Sequence, residues 1–247
     1  MKEKQNYIRQ VNIYRKEMPL ALLAILKTLF ILFIICCTVV AISNFINSGT
    51  MVVGYSMTPT LNNYEDENIH DYVYVNRFAK YTYGDLIVVN NPQDNDSGRN
   101  VIKRVIALGN DKIAIVRTDT SSAPQEKGFY KIVLIKNGGE KEFLQEDYID
   151  ENQSLYPAYL EFQNLIAKKN LQGAEVEKID GISFLKIQEG YIFFMGDNRG
   201  NSGTSVDCLD YGPVLANKVV GKVNIIVYQN KNHITYIFDY YVKKIFG

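Results

Sequence analysis

From Leu20 to Ile46 the sequence reads LALLAILKTLFILFIICCTVVAISNFI, and Lys27 is the only charged residue in this run. Residues 28–46 alone supply 19 uncharged, mainly apolar positions, enough for a helix to cross a hydrocarbon core about 30 Å thick. A core helix of a globular protein would normally carry a polar face, which this segment lacks. The sequence therefore predicts a transmembrane helix over residues 20–46, with Lys27 reaching the lipid headgroups.

Charge is distributed unevenly around this segment, although the chain as a whole has 27 basic and 27 acidic residues. Residues 1–27 contain six Lys or Arg and only two Glu. The positive-inside rule predicts a cytosolic basic segment at 1–19, a transmembrane anchor at 20–46 and an extracytoplasmic domain at 47–247. Ala41-Ile42-Ser43 faintly resembles a signal-peptide cleavage site, but the preceding polar region is long, so we predict an uncleaved anchor.

Composition argues against several functional classes. Zero net charge gives the whole chain no attraction for nucleic acid. His70 and His233 are the only histidines and have no ligand spacing around them, so we expect no metal and no other cofactor. Cys36 and Cys37 fall in the predicted anchor, which leaves Cys208 alone outside it, without a partner there for an intramolecular disulfide. The role of Cys208 stays open.

Beyond the anchor, short runs of β-branched and aromatic residues predict strands. These runs lie at residues 72–76, 85–89, 101–106, 131–135, 191–194 and 222–227. Asn137-Gly138-Gly139 is a hairpin signal, and residues 154–171 have apolar side chains at helical spacing. We expect a mostly β domain with antiparallel pairing, in which residues 110–190 form a smaller inserted lobe.

The segment Gly54-Tyr-Ser-Met-Thr-Pro-Thr-Leu61 begins a few residues after the predicted anchor. A turn that leaves a membrane helix accounts for Gly54 and Pro59, which both favour turns. A nucleophilic Ser56 is the alternative, and it requires a neighbouring base to take the hydroxyl proton. This segment alone does not distinguish the two interpretations.

Two residue types are candidates for such a base. His70 and His233 lie in polar runs, for which solvent exposure is the ordinary explanation. Lys103 lies in an apolar strand-like run, and the alternation of side chains in a strand places Arg104 on the other face. Burial would lower the lysine pKa from about 10.4, whereas a lysine at a solvated sheet edge would stay charged. Strand context leaves both interpretations open.

A third segment, Phe193-Phe-Met-Gly-Asp-Asn-Arg-Gly-Asn-Ser202, joins an apolar strand to a polar loop. A hairpin turn is one interpretation of this composition. The other is a hydrogen-bonded polar network that orients a neutral lysine.

In this order, the segments resemble those of the bacterial type I signal peptidases, serine proteases with a Ser-Lys dyad. Ser56-Met-Thr-Pro-Thr-Leu61 resembles the nucleophile motif, and Tyr83-Gly-Asp-Leu-Ile-Val-Val89 is similar to the strand that follows it. Lys103-Arg-Val-Ile-Ala-Leu-Gly-Asn-Asp111 resembles the lysine motif, and Met195-Gly-Asp-Asn-Arg-Gly-Asn-Ser202 the Gly-Asp-Asn-Arg motif. The resemblance extends to about Val227. A single anchor and 47 positions (103 − 56) between serine and lysine are typical of the Gram-positive form.

This resemblance implies a two-sheet, membrane-anchored serine endopeptidase. It would remove N-terminal signal peptides from secreted preproteins after a small-x-small motif, and the lipid bilayer would be its second partner. Ser56 would be the nucleophile and Lys103 the general base, with Ser202 orienting the lysine amine. The Ser56 backbone N–H would stabilise the oxyanion. Part of the family adds a serine hydroxyl two positions earlier; Gly54 stands there in this chain, so a backbone contribution or a nearby hydroxyl would replace it. The remaining implied residues are Asp197, Asn198 and Arg199 as loop scaffold and Tyr55, Met57 and Pro59 as substrate contacts.

The chain departs from the family pattern after the Gly-Asp-Asn-Arg motif. Thr204 and Val206 replace an aspartate and an arginine; alternatively, Asp207 aligns after a three-residue insertion, with Cys208 and Leu209 replacing serine and arginine. By either alignment the supporting salt bridge is absent or rebuilt.

This departure motivates one alternative function, a non-catalytic membrane-anchored accessory protein that binds secreted or pilin-like precursors. A self-cleaving repressor with the same dyad would need a DNA-binding domain in place of the anchor. The sequence does not distinguish general from dedicated substrates.

Overall fold

The structure is a computed structural model that describes residues 20–66, 68–91, 99–119, 124–149, 153–200 and 207–228. Two compact units divide between Ile46 and Asn47. The first unit contains helix α1, Leu20–Ile46, whose 27 residues would extend about 40 Å at 1.5 Å per residue. By length and composition α1 can cross a membrane, and none of its residues is buried against protein. The predicted basic segment at 1–19 lies outside the described residues.

The second unit contains twelve described strands and two further helices. In chain order the strands are β1 Asn47–Met51, β2 Tyr72–Asn76, β3 Leu86–Asn90, β4 Asn100–Ala107, β5 Lys112–Arg117, β6 Tyr130–Ile135, β7 Lys141–Phe143, β8 Ala174–Ile179, β9 Ile182–Ile187, β10 Tyr191–Met195, β11 Val214–Leu215 and β12 Val219–Val227. Helix α2 is Tyr156–Ile166, and the single-turn helix α3 is Cys208–Tyr211.

The strands form two sheets in which the described pairs are all antiparallel. The larger sheet has the order β1-β2-β12-β3-β4-β10-β11, and the smaller has the order β7-β6-β5-β9-β8. The smaller sheet is inserted along the chain between β4 and β10, within residues 110–190. The predicted mostly β fold is therefore confirmed.

Hydrophobic packing explains the position of helix α2. Ala158, Phe162 and Leu165 are its buried residues, and their spacing of four and three places them on one face. They join a core cluster that includes Ile113 of β5 and Phe193 of β10. The helix is shorter at both ends than the predicted range of 154–171, with Pro157 in its first turn.

A second hydrophobic cluster lies beneath the segment that carries Ser56. It includes Met57 and Leu61 from this segment, Val73 from β2 and Val88 from β3. These apolar contacts hold the loop between β1 and β2 against the larger sheet. Packing of its neighbour Met57 in the core therefore fixes the position of Ser56.

Candidate active site

Ser56 and Lys103 meet in the structure although they are far apart in sequence. Lys103 lies on β4, where it is paired with Ile87 of β3, and its Nζ is 2.6 Å from Ser56 Oγ. Ser56 lies in the turn that follows Gly54. The hydroxyl and the amine are therefore within direct hydrogen-bonding distance.

The environment of Lys103 favours a neutral amine. The residue is only 2% exposed. Burial lowers the pKa of Lys103 from its ordinary value of 10.5, while Asp207, Asp197 and Asp210 partly offset this effect. A neutral amine beside a hydroxyl is the arrangement that a general base and a nucleophile require.

Hydrogen bonds from Asn198 hold the turn around Ser56 against the loop that follows β10. Asn198 donates from its backbone N–H to the Ser56 carbonyl at 3.1 Å and from Nδ2 to the Tyr55 carbonyl at 3.2 Å. Gly54 has φ of +87°, in the left-handed region that favours glycine. The interpretations of the Gly54–Leu61 segment as a turn and as a candidate nucleophile site are therefore compatible.

Asp197 anchors the same loop through a buried ion pair with Arg104. Arg104 Nε donates to Asp197 Oδ1 at 2.8 Å, and Nη2 donates to Oδ2 at 2.5 Å. Thr60 Oγ1 donates to Asp197 Oδ2 at 2.5 Å, and Arg104 Nη1 donates to the Gly84 carbonyl at 2.7 Å. The Arg104 guanidinium also stacks over the Tyr148 ring, 3.7 Å from its centroid. The adjacent β4 residues Lys103 and Arg104 thus contact different partners, Ser56 and Asp197 respectively.

Arg199 is held by two residues to which the sequence analysis gave no role. Its guanidinium pairs with Glu146 at 2.7 Å, and its backbone N–H donates to Gln153 Oε1 at 2.9 Å. Gln153 Nε2 donates to Asn198 Oδ1 at 3.0 Å. The amide of Gln153 therefore connects the region before α2 to the loop that holds Ser56.

The departure from the family pattern is accommodated by packing and backbone contacts. Cys208 and Leu209 are buried in the main core. The Phe194 N–H donates to Cys208 Sγ at 3.2 Å, and burial raises the pKa of this thiol. Asp207 accepts hydrogen bonds from the N–H groups of Leu209 at 2.9 Å and Gly196 at 3.3 Å. Thr204, Val206 and Ser202 lie outside the described residues.

A cavity of about 670 Å³ opens beside Ser56 and Lys103. Residues 50–57 form one wall, residues 99–103 form the other, and Val88 and Asn198 complete the lining. Tyr55 and Met57 contribute to this lining, whereas Pro59 does not. Within the described ranges, no group of three or more His, Cys, Asp or Glu is placed to hold a metal ion.

The chain is similar to proteins of known family. The sequence matches the family described as signal peptidase, peptidase S26, over residues 25–228. It is 28% identical over 183 residues to signal peptidase I P of Bacillus subtilis subsp. natto, covering 72% of this chain and 73% of that protein. The crystal structure of a signal peptidase I from Enterococcus faecalis V583 matches with 21% identity and a TM-score of 0.33, covering 59% of this chain and 98% of the other. From the extent of the family match, the chain belongs to the signal peptidase family, peptidase S26.

Proposed function

We propose that this protein is a membrane-anchored serine endopeptidase that removes N-terminal signal peptides from secreted preproteins after a small-x-small motif. Membership of the signal peptidase family supports cleavage of signal peptides. The observation that carries the proposed mechanism is the 2.6 Å distance between Lys103 Nζ and Ser56 Oγ at a buried position.

In the proposed mechanism, Lys103 Nζ accepts the Ser56 hydroxyl proton while Oγ attacks the scissile carbonyl carbon. The Ser56 backbone N–H stabilises the resulting oxyanion. The protonated amine then donates this proton to the nitrogen of the leaving peptide, which frees the mature protein and leaves an acyl-enzyme. Water, activated by the neutral Lys103, hydrolyses the ester and restores Ser56.

The substrate is proposed to bind as an extended strand along the part of β4 that no described strand pairs with on the β10 side. Strand β10 pairs with β4 only from Arg104 to Ala107. Residues 100–103 pair with β3 on their other side and line the cavity beside Ser56. A substrate segment that continues the sheet there would satisfy its own backbone groups, while shallow pockets accept the small side chains of the motif.

The proposed placement has the N-terminus in the cytosol and the catalytic domain outside, with α1 as a single membrane span. Ser56 follows Ile46 by ten positions (56 − 46), so at most about 35 Å of extended chain separates them. Signal peptides are themselves held in the membrane by an apolar region. Confinement of enzyme and substrate to one membrane raises their effective concentration.

The test of this function is cleavage of a preprotein by the full chain in detergent, with the cut site located by mass spectrometry. We expect a single cut after the second alanine of an Ala-x-Ala motif. A matched preprotein with bulky residues at both alanine positions is expected to stay intact. If the protein cuts neither preprotein and no other signal peptide in a panel, the proposal is overturned. That result would favour the accessory protein, which binds precursors without cutting them.

The rate of cleavage is expected to rise with pH. Only the neutral form of Lys103 accepts the Ser56 proton, and burial lowers the pKa of this lysine from 10.5. The activity is therefore lost as pH falls through the lowered pKa and is fully present above it. Single-turnover rates between pH 5 and pH 10 measure this dependence, and a rate that is constant or that falls with rising pH would contradict it.

A further inference from the structure

Asn62 and Asp71 form a buried polar pair that neither the family motifs nor the proposed mechanism uses. They are 3% and 1% exposed, respectively. The Asn62 N–H donates to Asp71 Oδ2 at 2.8 Å, and the Asp71 N–H donates to Asn62 Oδ1 at 2.8 Å. These reciprocal bonds fix both residues, because breaking either would leave a buried polar group unsatisfied.

The Asn62 side chain also holds the segment that leads to Ser56. Its Nδ2 donates to the Val52 carbonyl at 3.0 Å and to the Gly54 carbonyl at 3.0 Å. The Val52 N–H donates to the Asp71 carbonyl at 2.9 Å, which continues the hydrogen bonding of β1 with β2. The Asn62 amide group therefore donates two hydrogen bonds to residues 52–54 in the cavity wall, and its oxygen accepts one from Asp71.

The residue between the two held carbonyls lies at the cavity. Asn62 binds the carbonyls of Val52 and Gly54, which flank Val53. Val53 is 76% exposed and lines the cavity beside Ser56. A peptide that enters the cavity can therefore contact Val53.

We infer that Asn62 and Asp71 are positioning residues that hold residues 52–54 as a preformed wall for backbone pairing with the signal peptide. This inference rests on the proposed function, because it assumes that the cavity binds an extended peptide. Gly54 gives this segment unusual backbone freedom, and ordering it only on binding would weaken affinity. Fixing it in advance favours substrate binding while leaving the chemistry of Ser56 and Lys103 unchanged.

The sharpest variant is Asn62→Gly in the full chain. Asn62 has φ of +54°, which glycine adopts without strain, so this change introduces no backbone strain, although it also removes the acceptor of the Asp71 N–H. Loss of two hydrogen bonds to the wall is expected to raise KM for a signal peptide by about 10-fold or more. We expect kcat to change by less than about 3-fold and the pH midpoint of the rate to stay unchanged, because Lys103 is untouched.

Tyr64→Phe is the matched control within the same network. The Tyr64 hydroxyl donates to Asp71 Oδ1, whereas the Asn62 N–H donates to the other carboxylate oxygen, Oδ2. This variant is expected to lower the Tm of the protein but to leave KM within about 2-fold of wild type. A KM for Asn62→Gly within about 2-fold of wild type, or an equal rise in KM for Tyr64→Phe, would overturn the inference.

Peptide binding in a Ser56→Ala background separates this inference from the proposed function. Fluorescence anisotropy of a labelled signal peptide is measured with and without Asn62→Gly. If that chain does not fold, Asn62→Ser, which lacks the amide donors, replaces it. Binding that weakens about 10-fold while wild type cuts no preprotein would overturn the peptidase and retain the positioning role. Equal binding with and without the change at Asn62 would overturn the positioning role alone. No binding by either protein would overturn both the positioning role and the peptidase.

Discussion

Ser56→Ala and Lys103→Met are each expected to lower kcat/KM for signal-peptide cleavage by about 1,000-fold or more. Alanine removes the oxygen that would attack the scissile carbonyl. Methionine keeps most of the lysine volume in a buried strand position but has no proton acceptor comparable to an amine. The double variant is expected to be no less active than either single variant, because the two groups act as one unit.

The control for this prediction is stability, measured as Tm by thermal unfolding at several pH values. Because the pKa of Lys103 is lowered in the folded protein, the unfolded chain binds more protons between that lowered value and 10.5. Wild-type stability therefore rises with pH across this window. Lys103→Met lacks this dependence, so its Tm is expected to exceed that of wild type at neutral pH, with a difference that shrinks towards pH 10.5. Activity of Lys103→Met within tenfold of wild type would contradict the assigned base.

The orientation of Lys103 on its strand is predictable from the sequence. Alternation along Val101–Leu108 predicts that Lys103 and Arg104 point to opposite faces, but strand context leaves a buried and a solvated Lys103 both open. The structure buries both side chains, one beside Ser56 and the other beside Asp197. Local periodicity is sufficient for the two directions, because strand geometry dictates them, but the burial of Lys103 depends on how the rest of the chain packs.

The supporting residues were not predictable in the same way. Gln153 and Glu146 reach the loop at Asn198 and Arg199 from positions 45 and 53 residues earlier (198 − 153 and 199 − 146). No local pattern marks an isolated glutamine as the partner of a distant backbone group, because the contact depends on how the chain packs. Strand β1, with the polar sequence NSGTM, was missed for a related reason: its antiparallel pairing with β2 stabilises it more than its own composition does.

The altered residues after the Gly-Asp-Asn-Arg motif bear on the choice between peptidase and accessory protein. By the alignment that puts Leu209 in place of the family's arginine, the change would disturb the loop if a salt bridge there were its main support. Instead, Leu209 contributes to the core, while the ion pair of Arg104 with Asp197 and the contacts of Gln153 hold the loop on the Ser56 side. The altered motif is therefore a weak argument against catalysis, since the loop has other supports.

Asp197→Ala is expected to destabilise the folded domain by about 3–5 kcal/mol, because it leaves the Arg104 guanidinium buried without its counter-ion. The side chains of Arg104 and Asp197 are 10% and 0% exposed, so solvent replaces little of the lost interaction. For a domain of this size, the loss corresponds to a fall in Tm of about 10 °C. Thermal unfolding of the full chain in detergent measures it, and a fall of less than about 2 °C would contradict the role of the ion pair.

Asp197→Asn is the matched variant for the effect of charge on Lys103. Asparagine keeps the shape of the side chain and one acceptor oxygen for Arg104, so it is expected to destabilise the domain less than alanine does. The Asp197 carboxylate raises the pKa of Lys103 and partly offsets the effect of burial. Removing its charge should lower this pKa further, so the pH midpoint of cleavage is expected to move to a lower value. An unchanged or higher midpoint in Asp197→Asn, measured on folded protein, would show that Asp197 supports the loop without tuning the base.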